Sequence, residues 1–313
     1  MSKTLGRVIL IGGEPQRTPL DATLMSRVAF WAGGADAAWV IITTGSAPRV
    51  RGASAYRRLL LDLGAREVRV LQLRSREVAE DSRALNGVRQ ATGVLLLAQD
   101  PEQLVSLLVD TPLQAELVRA FTRGACIVGP HAGAAALTAR IVGPGHWAPP
   151  PQTETDASAM ADVHPRAGLV SLNAGLGLLP GLVLDHHYCE KQRWGRLVSL
   201  VALSPDLLGV GVDAGTALVV APGRAVEVVG QGAVTIFDGG RLSHSTASHA
   251  SSGQLLGLCH VQLNTLPTGF SFRWRRNGEG AMADGSRASA TLLQLMRAIS
   301  STEARSPISP KYR

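Results

Sequence analysis

Strand-length apolar runs alternate with longer amphipathic segments through the first 137 residues, and no other feature limits the fold as much. The apolar runs are "RVILIGG" (7–13), "WVIITTG" (39–45), "EVRVLQL" (67–73), "GVLLLAQD" (93–100) and "ACIV" (125–128). Between them lie "GASAYRRLLLDLGA" (52–65), "DSRALNGVRQA" (81–91) and "PEQLVSLLVDTPLQAELVRAFTRG" (101–124), with Leu and Val at helical spacing. A run that is apolar throughout is buried on both faces, as strands of a parallel sheet are. The alternation therefore predicts an α/β fold with a mainly parallel sheet. In such sheets, sites form at the carboxyl ends of the strands.

The pattern changes further on. A Pro-rich stretch over 145–165 reads as a surface loop. "NAGLGLLPGLVLDHHY" (173–188) resumes the apolar pattern, and "LGVGVDAGTALVV" (208–220), "AVEVVGQGAVTIFDGG" (225–240) and "GLCHVQLNTLPTGFSF" (257–272) read as turns and strands. From residue 276 the chain turns rich in Ser, Gly, Ala and Arg, with one helical candidate at 290–300. That composition predicts a single domain over 1–275 and a largely flexible extension over 276–313.

Hydrophobic residues make up 45% of the 313, enough for a substantial core, and aromatics only 4%, so the core must be built from aliphatic side chains. The net charge of +7 comes from Arg spread along the chain, without a basic block or an aromatic-rich nucleic-acid signature. Neither nucleic acid nor a membrane is expected as a partner. Three scattered cysteines, Cys126, Cys189 and Cys259, form no CxxC pair or disulfide ladder, and the N-terminus carries no signal-peptide pattern. A cytoplasmic protein is the expectation.

At the end of the alternating region stands "GPHAGAAAL" (129–137). Gly-x-X-x-Gly between a strand and a helix has the form of a nucleophile elbow, whose tip is normally Ser or Cys. Here the tip is His131.

The order and spacing of "VILIGGE" (8–14), the elbow, "GLGLLPGLVLDHHYCEKQRWGRL" (175–197), "LGVGVDAGTALVV" and "VVGQGAVTIFDGG" resemble the cyanophycinases, serine hydrolases related to peptidase E. The resemblance covers roughly residues 6–275. It implies a three-layer α/β/α fold of the class I glutamine amidotransferase-like, or flavodoxin-like, kind. It also implies a hydroxyl nucleophile, an imidazole base and an orienting carboxylate in one hydrogen-bonded line. The family elbow reads Gly-Thr-Ser-Ala-Gly-Ala, its base lies in Asp-Gln-His-Phe, and its acid lies in Gly-Ile-Asp-Glu. Carried over residue by residue, the nucleophile position is His131, the base position His187 and the acid position Ala214. Only the base is kept. The family's oxyanion segment, Thr-Gly-Gly-Asp-Gln, is "LAQDP" here. Ala98 and Gln99 replace two glycines, Pro101 replaces a substrate-binding Gln, and Ala132 follows the elbow tip. Family substrate contacts fall on Asp185, His186, Lys191, Arg193 and Arg196. The Asp would take a guanidinium of β-Asp-Arg, and the basic residues its carboxylates.

Losing a triad member costs about 10⁴–10⁶ in rate. The first reading is therefore a non-catalytic homologue that binds cyanophycin, a β-Asp-Arg fragment or a partner in cyanophycin metabolism. It needs no cofactor, and the resemblance implies a homodimer or a heterodimer with an active cyanophycinase. The second reading is a hydrolase of altered chemistry. It would be His-based at His131, metal-assisted through His131 and His187, or dependent on another nucleophile such as Ser46 or Cys189. The spacing of these residues matches no metal signature, and no metal is expected. The third reading is a scaffold whose pocket is occluded.

Overall fold

The computed structural model describes residues 5–13, 22–45, 47–147, 163–185, 188, 193–221, 225–274, 280–282 and 294–295. Its first half follows the alternation. In chain order come β1 (Val8–Ile11), α1 (Ala22–Trp31), β2 (Ala38–Thr43), α2 (Ala47–Asp62) and β3 (Glu67–Gln72). Then follow α3 (Ser82–Gln90), β4 (Gly93–Leu97), α4 (Pro101–Leu108), α5 (Pro112–Thr122), β5 (Cys126–Pro130) and α6 (Ala132–Leu137). Strands β1, β5, β4, β2 and β3 pair in parallel in that spatial order.

The spacing over 101–124 predicts one helical stretch, and the structure divides it in two. Asp100 caps α4 by accepting from the Glu102 N–H at 2.9 Å. The backbone turns at Asp110, with φ 57°. Thr111 then caps α5, with Pro112 in its first turn, where the missing N–H costs nothing.

The second half adds β6 (Thr138–Pro144), β7 (Val170–Ala174), β8 (Leu179–Asp185), α7 (Trp194–Leu203), β9 (Leu208–Val212) and β10 (Thr216–Ala221). It ends in β11 (Ala225–Gly230), β12 (Ala233–Asp238), β13 (His244–Ser245), β14 (Leu258–Cys259), β15 (Gln262–Pro267), β16 (Ser271–Trp274) and β17 (Gly280–Met282). Strands β10, β11, β16 and β17 extend the parallel sheet antiparallel beyond β1, making nine strands. A second sheet of six strands runs β15-β12-β9-β8-β6-β7, with β6, β8 and β9 parallel. The chain crosses between the sheets three times over short turns, from β9 to β10, from β11 to β12 and from β15 to β16.

Three apolar clusters set the layers. Ile9, Ile41, Leu95 and Val128 face α1 and α2 on one side of the large sheet. Val8, Leu10, Val40, Leu96 and Ile127 point to the other side, toward α3 to α6 and the inner face of the second sheet. The second sheet buries Val142, Val183 and Phe237 against Leu197, Val198 and Val201 of α7. Full burial of one such side chain contributes about 1.5–3 kcal/mol. The architecture is thus the expected α/β class I glutamine amidotransferase-like fold, with the second sheet as an added layer between the inner helices and α7.

Sheet pairing continues past residue 275, since β17 pairs with β16 and Leu295 is fully buried in the main cluster. Of the helical candidate over 290–300, only Gln294 and Leu295 are described, in helical conformation. Among the described residues no helix is long and apolar enough to cross a membrane.

Candidate active site

Small residues let α6 descend onto the strands. A Cβ added to Gly133 would stand 2.0 Å from the Leu96 carbonyl oxygen, and one on Gly129 would stand 2.5 Å from the Gly133 carbonyl carbon. The alanines of α6 are buried for the same reason: the helix lies between the sheets, against β5, β6, β1 and β8. Elbow glycines thus serve close packing, as Gly-x-X-x-Gly requires.

His131 is held where β5 meets α6, with φ 52° and ψ −122°. That is a strained region for any residue with a side chain, costing about 1–3 kcal/mol. Backbone bonds fix it. Its N–H donates to the Ile11 carbonyl at 3.0 Å, and its own carbonyl accepts from the Ala134 N–H at 3.0 Å. It also forms a lone parallel bridge with Ala98 at the end of β4. The imidazole is half-buried. Gln99 is exposed, while Ala98 and Ala132 are buried. Pro101 is buried as the first residue of α4.

The acid position lies on the other side of β1. Gly215 donates its N–H to the Gly13 carbonyl at 2.9 Å, and Gly12 donates to the Thr216 carbonyl at 2.9 Å. Ala214 sits half-buried in this turn between β9 and β10. Its neighbour Asp213 is engaged within the turn. Asp213 Oδ2 accepts from the Ala233 N–H at 2.9 Å and closes the turn. The C-terminal edges of the two sheets therefore meet at the end of β1, with the elbow tip bonded to Ile11 and the acid turn to Gly12 and Gly13.

Asp185 ends β8, next to β9, and is 1% exposed. Its Oδ1 lies 3.3 Å from an Arg193 guanidinium nitrogen, and its Oδ2 accepts from Arg196 Nε at 2.8 Å. Among the described residues, the guanidinium groups that Asp185 meets are the chain's own. A buried carboxylate holding two Arg residues orients them.

His187, His186, Lys191, Cys189 and Ser46 lie outside the described residues. Their flanks are described. Tyr188 lies over β9, where a Cβ on Gly211 would meet its ring at 2.4 Å. Tyr188 also meets Phe237 edge-on at 6.1 Å and accepts from the Arg193 N–H at 3.0 Å. Sequence reading passes over Tyr188, although the signal is present. Gly209 and Gly211 interrupt an otherwise apolar strand, and glycine inside a strand marks close approach of another group. Among the described residues, no group of three or more His, Cys, Asp or Glu side chains gathers as a metal site.

A strand–elbow–helix at the carboxyl edge of a parallel sheet, with the acid position on the turn into a neighbouring later strand, is the framework of a peptidase-like protein built around a nucleophile elbow. The Peptidase family S51 model matches residues 10–228, and this chain belongs to that family. It is 31% identical to a cyanophycinase of Trichormus variabilis over 269 residues, 85% of this chain and 84% of the relative. Identity to a cyanophycinase of Synechococcus elongatus is 30% over 271 residues, 86% of this chain and 80% of the relative. Among solved structures, a peptidase from an acI-B1 Actinobacterium shares the fold. Its TM-score is 0.61 at 20% identity, over 87% of this chain and 98% of the other.

Proposed function

We propose that this chain is an S51 protein that recognises cyanophycin or its β-Asp-Arg fragments without hydrolysing them through a serine-type triad. The observation that carries the reading is the elbow tip. Residue 131 keeps a strained φ 52°, ψ −122° backbone but carries an imidazole where attack needs a hydroxyl. Ala214 leaves the base position without its carboxylate, and Asp213 is engaged by Ala233. Support for the ligand class comes from two sides. The relatives at 30–31% identity are cyanophycinases, and Asp185 pre-orients two guanidinium groups suited to carboxylates. A homodimer, or a heterodimer with an active cyanophycinase, is the assembly that belongs to this reading.

One observation favours a second reading. The imidazole of His131 is half-buried and not enclosed. Ring nitrogen could attack the scissile carbonyl, expel the amine and leave an acyl-imidazole for water to cleave. One experiment separates the two. The purified protein is titrated calorimetrically with β-Asp-Arg and incubated with cyanophycin, while dipeptide release is followed. Saturable binding without release is the expected result. Release that disappears in His131→Ala establishes the second reading, and absence of both binding and release leaves an occluded scaffold.

A further inference from the structure

At the opposite end of the same strands, away from His131, the large sheet carries a trough of about 280 Å³. It is lined by Arg7, Val219, Ala221, Ala225, Glu227 and Arg273. Strand pairing explains its shape. Ala221 pairs with Ala225, and Ala225 with Arg273, across β10, β11 and β16. Arg7 immediately precedes Val8, which pairs with Val220 on β10. The row from Arg7 to Arg273 thus spans four adjacent strands, with a guanidinium at each end and two alanines between. Three inter-strand spacings separate the backbones of Arg7 and Arg273, about 14 Å. Glu227 pairs with Val219 one pleat away on the same face.

Among the described residues, the cationic groups around this floor outnumber the carboxylates. Arg27 of α1 approaches Glu227 at 3.6 Å. The guanidinium groups of Arg7 and Arg27 lie 5.5 and 5.2 Å from the centre of the Trp31 ring. Among the described residues, three guanidinium groups stand around this floor with one carboxylate, which Arg27 approaches, and Trp31 holds Arg7 and Arg27 by cation–π attraction. Gathering cations on one face is unfavourable until an anion joins them. The complement of two outer guanidinium groups, one carboxylate between them and an apolar floor is a small molecule with two carboxylates and one ammonium.

We infer that this trough binds an acidic amino acid or a short acidic peptide. Its carboxylates go to Arg7 and Arg273, its ammonium to Glu227, and its carbon chain lies over Ala221 and Ala225. The site is separate from the elbow and does not depend on what happens there.

The test is calorimetric titration of the full chain with L-aspartate, L-glutamate, succinate and inorganic phosphate. Binding of the two amino acids in the millimolar range or tighter is expected, weaker binding of succinate, and weakest binding of phosphate. Arg273→Gln changes an exposed side chain and should weaken aspartate binding about tenfold or more. Glu227→Gln should abolish the preference for aspartate over succinate. Thermal melting of both variants checks that they fold. The inference is overturned by no saturable heat with either amino acid, by phosphate binding as tightly as aspartate, or by aspartate binding that Arg273→Gln leaves unchanged.

Discussion

Position 131 combines a backbone that suits glycine with a side chain far larger than the serine of the family elbow. The φ of 52° and ψ of −122° are imposed from outside, by the Ile11 carbonyl ahead and the first turn of α6 behind. Replacing His131 by Ala removes the imidazole and keeps the strain. Replacement by Gly removes both, against a conformational-entropy cost of about 0.5–1 kcal/mol. With strain of about 1–3 kcal/mol, His131→Gly should be more stable than His131→Ala by about 1 kcal/mol in urea unfolding. Equal midpoints would mean that the elbow relaxes when the ring leaves. Asp185 is the other residue whose setting decides an outcome. With Asp185 1% exposed and the Arg193 and Arg196 side chains 16% and 11% exposed, Asp185→Asn leaves two guanidinium groups without its countercharge. Breaking a buried pair in this way costs about 3–5 kcal/mol. A loss under about 1 kcal/mol by the same unfolding measurement would show that water screens the cluster.

At the scale of elements, α3 and α5 are joined through Glu116, which is buried on α5. Burial alone would raise its pKa. Hydrogen bonds from Arg89 on α3 and Arg119 on α5, with the charges of both, outweigh that and hold it below its ordinary value of 4.5. A carboxyl depressed in the folded state adds stability above its unfolded pKa, and that stability is lost as pH falls through the folded one. Wild type should therefore lose a stability increment on acidification below about pH 4.5 that Glu116→Gln lacks. Unfolding midpoints of the two proteins from pH 7 to 3 check this, and parallel curves would remove Glu116 from the acid response. The same scale shows what the sequence made legible. Four of the five parallel strands, β1, β2, β4 and β5, were readable because burial on both faces writes itself as an unbroken apolar run, while the edge strand β3 is half-exposed and keeps charged residues within it. The break at Asp110–Pro112 was signalled by a Thr–Pro pair inside a periodicity that continues across it. The second sheet was not legible, because β6, β8, β9 and β12 meet only through pairings distant in sequence. In the candidate site, positions 131 and 214 could be assigned from motifs. The mutual capture of Asp185, Arg193 and Arg196 could not, because a carboxylate and two Arg residues in sequence look the same whether they face a ligand or one another.

On the scale of the whole molecule, the question is where the folded body ends. Composition changes after residue 275, yet β17 at 280–282 is hydrogen-bonded to β16, and Leu295 is fully buried with side chains of both sheets. A residue in that position is held by the main core, whatever the composition around it. Leu295→Ala should cost about 2–5 kcal/mol, as truncation of a fully buried leucine does. Ending the chain at residue 275 should cost at least as much, since it removes β17 together with that side chain. Both are read as falls in the urea unfolding midpoint with the transition still a single step. If the shortened chain and Leu295→Ala both unfold at the wild-type midpoint, residues after 275 add nothing to the core. The folded unit would then end at β16, and Leu295 would be covered without contributing to stability.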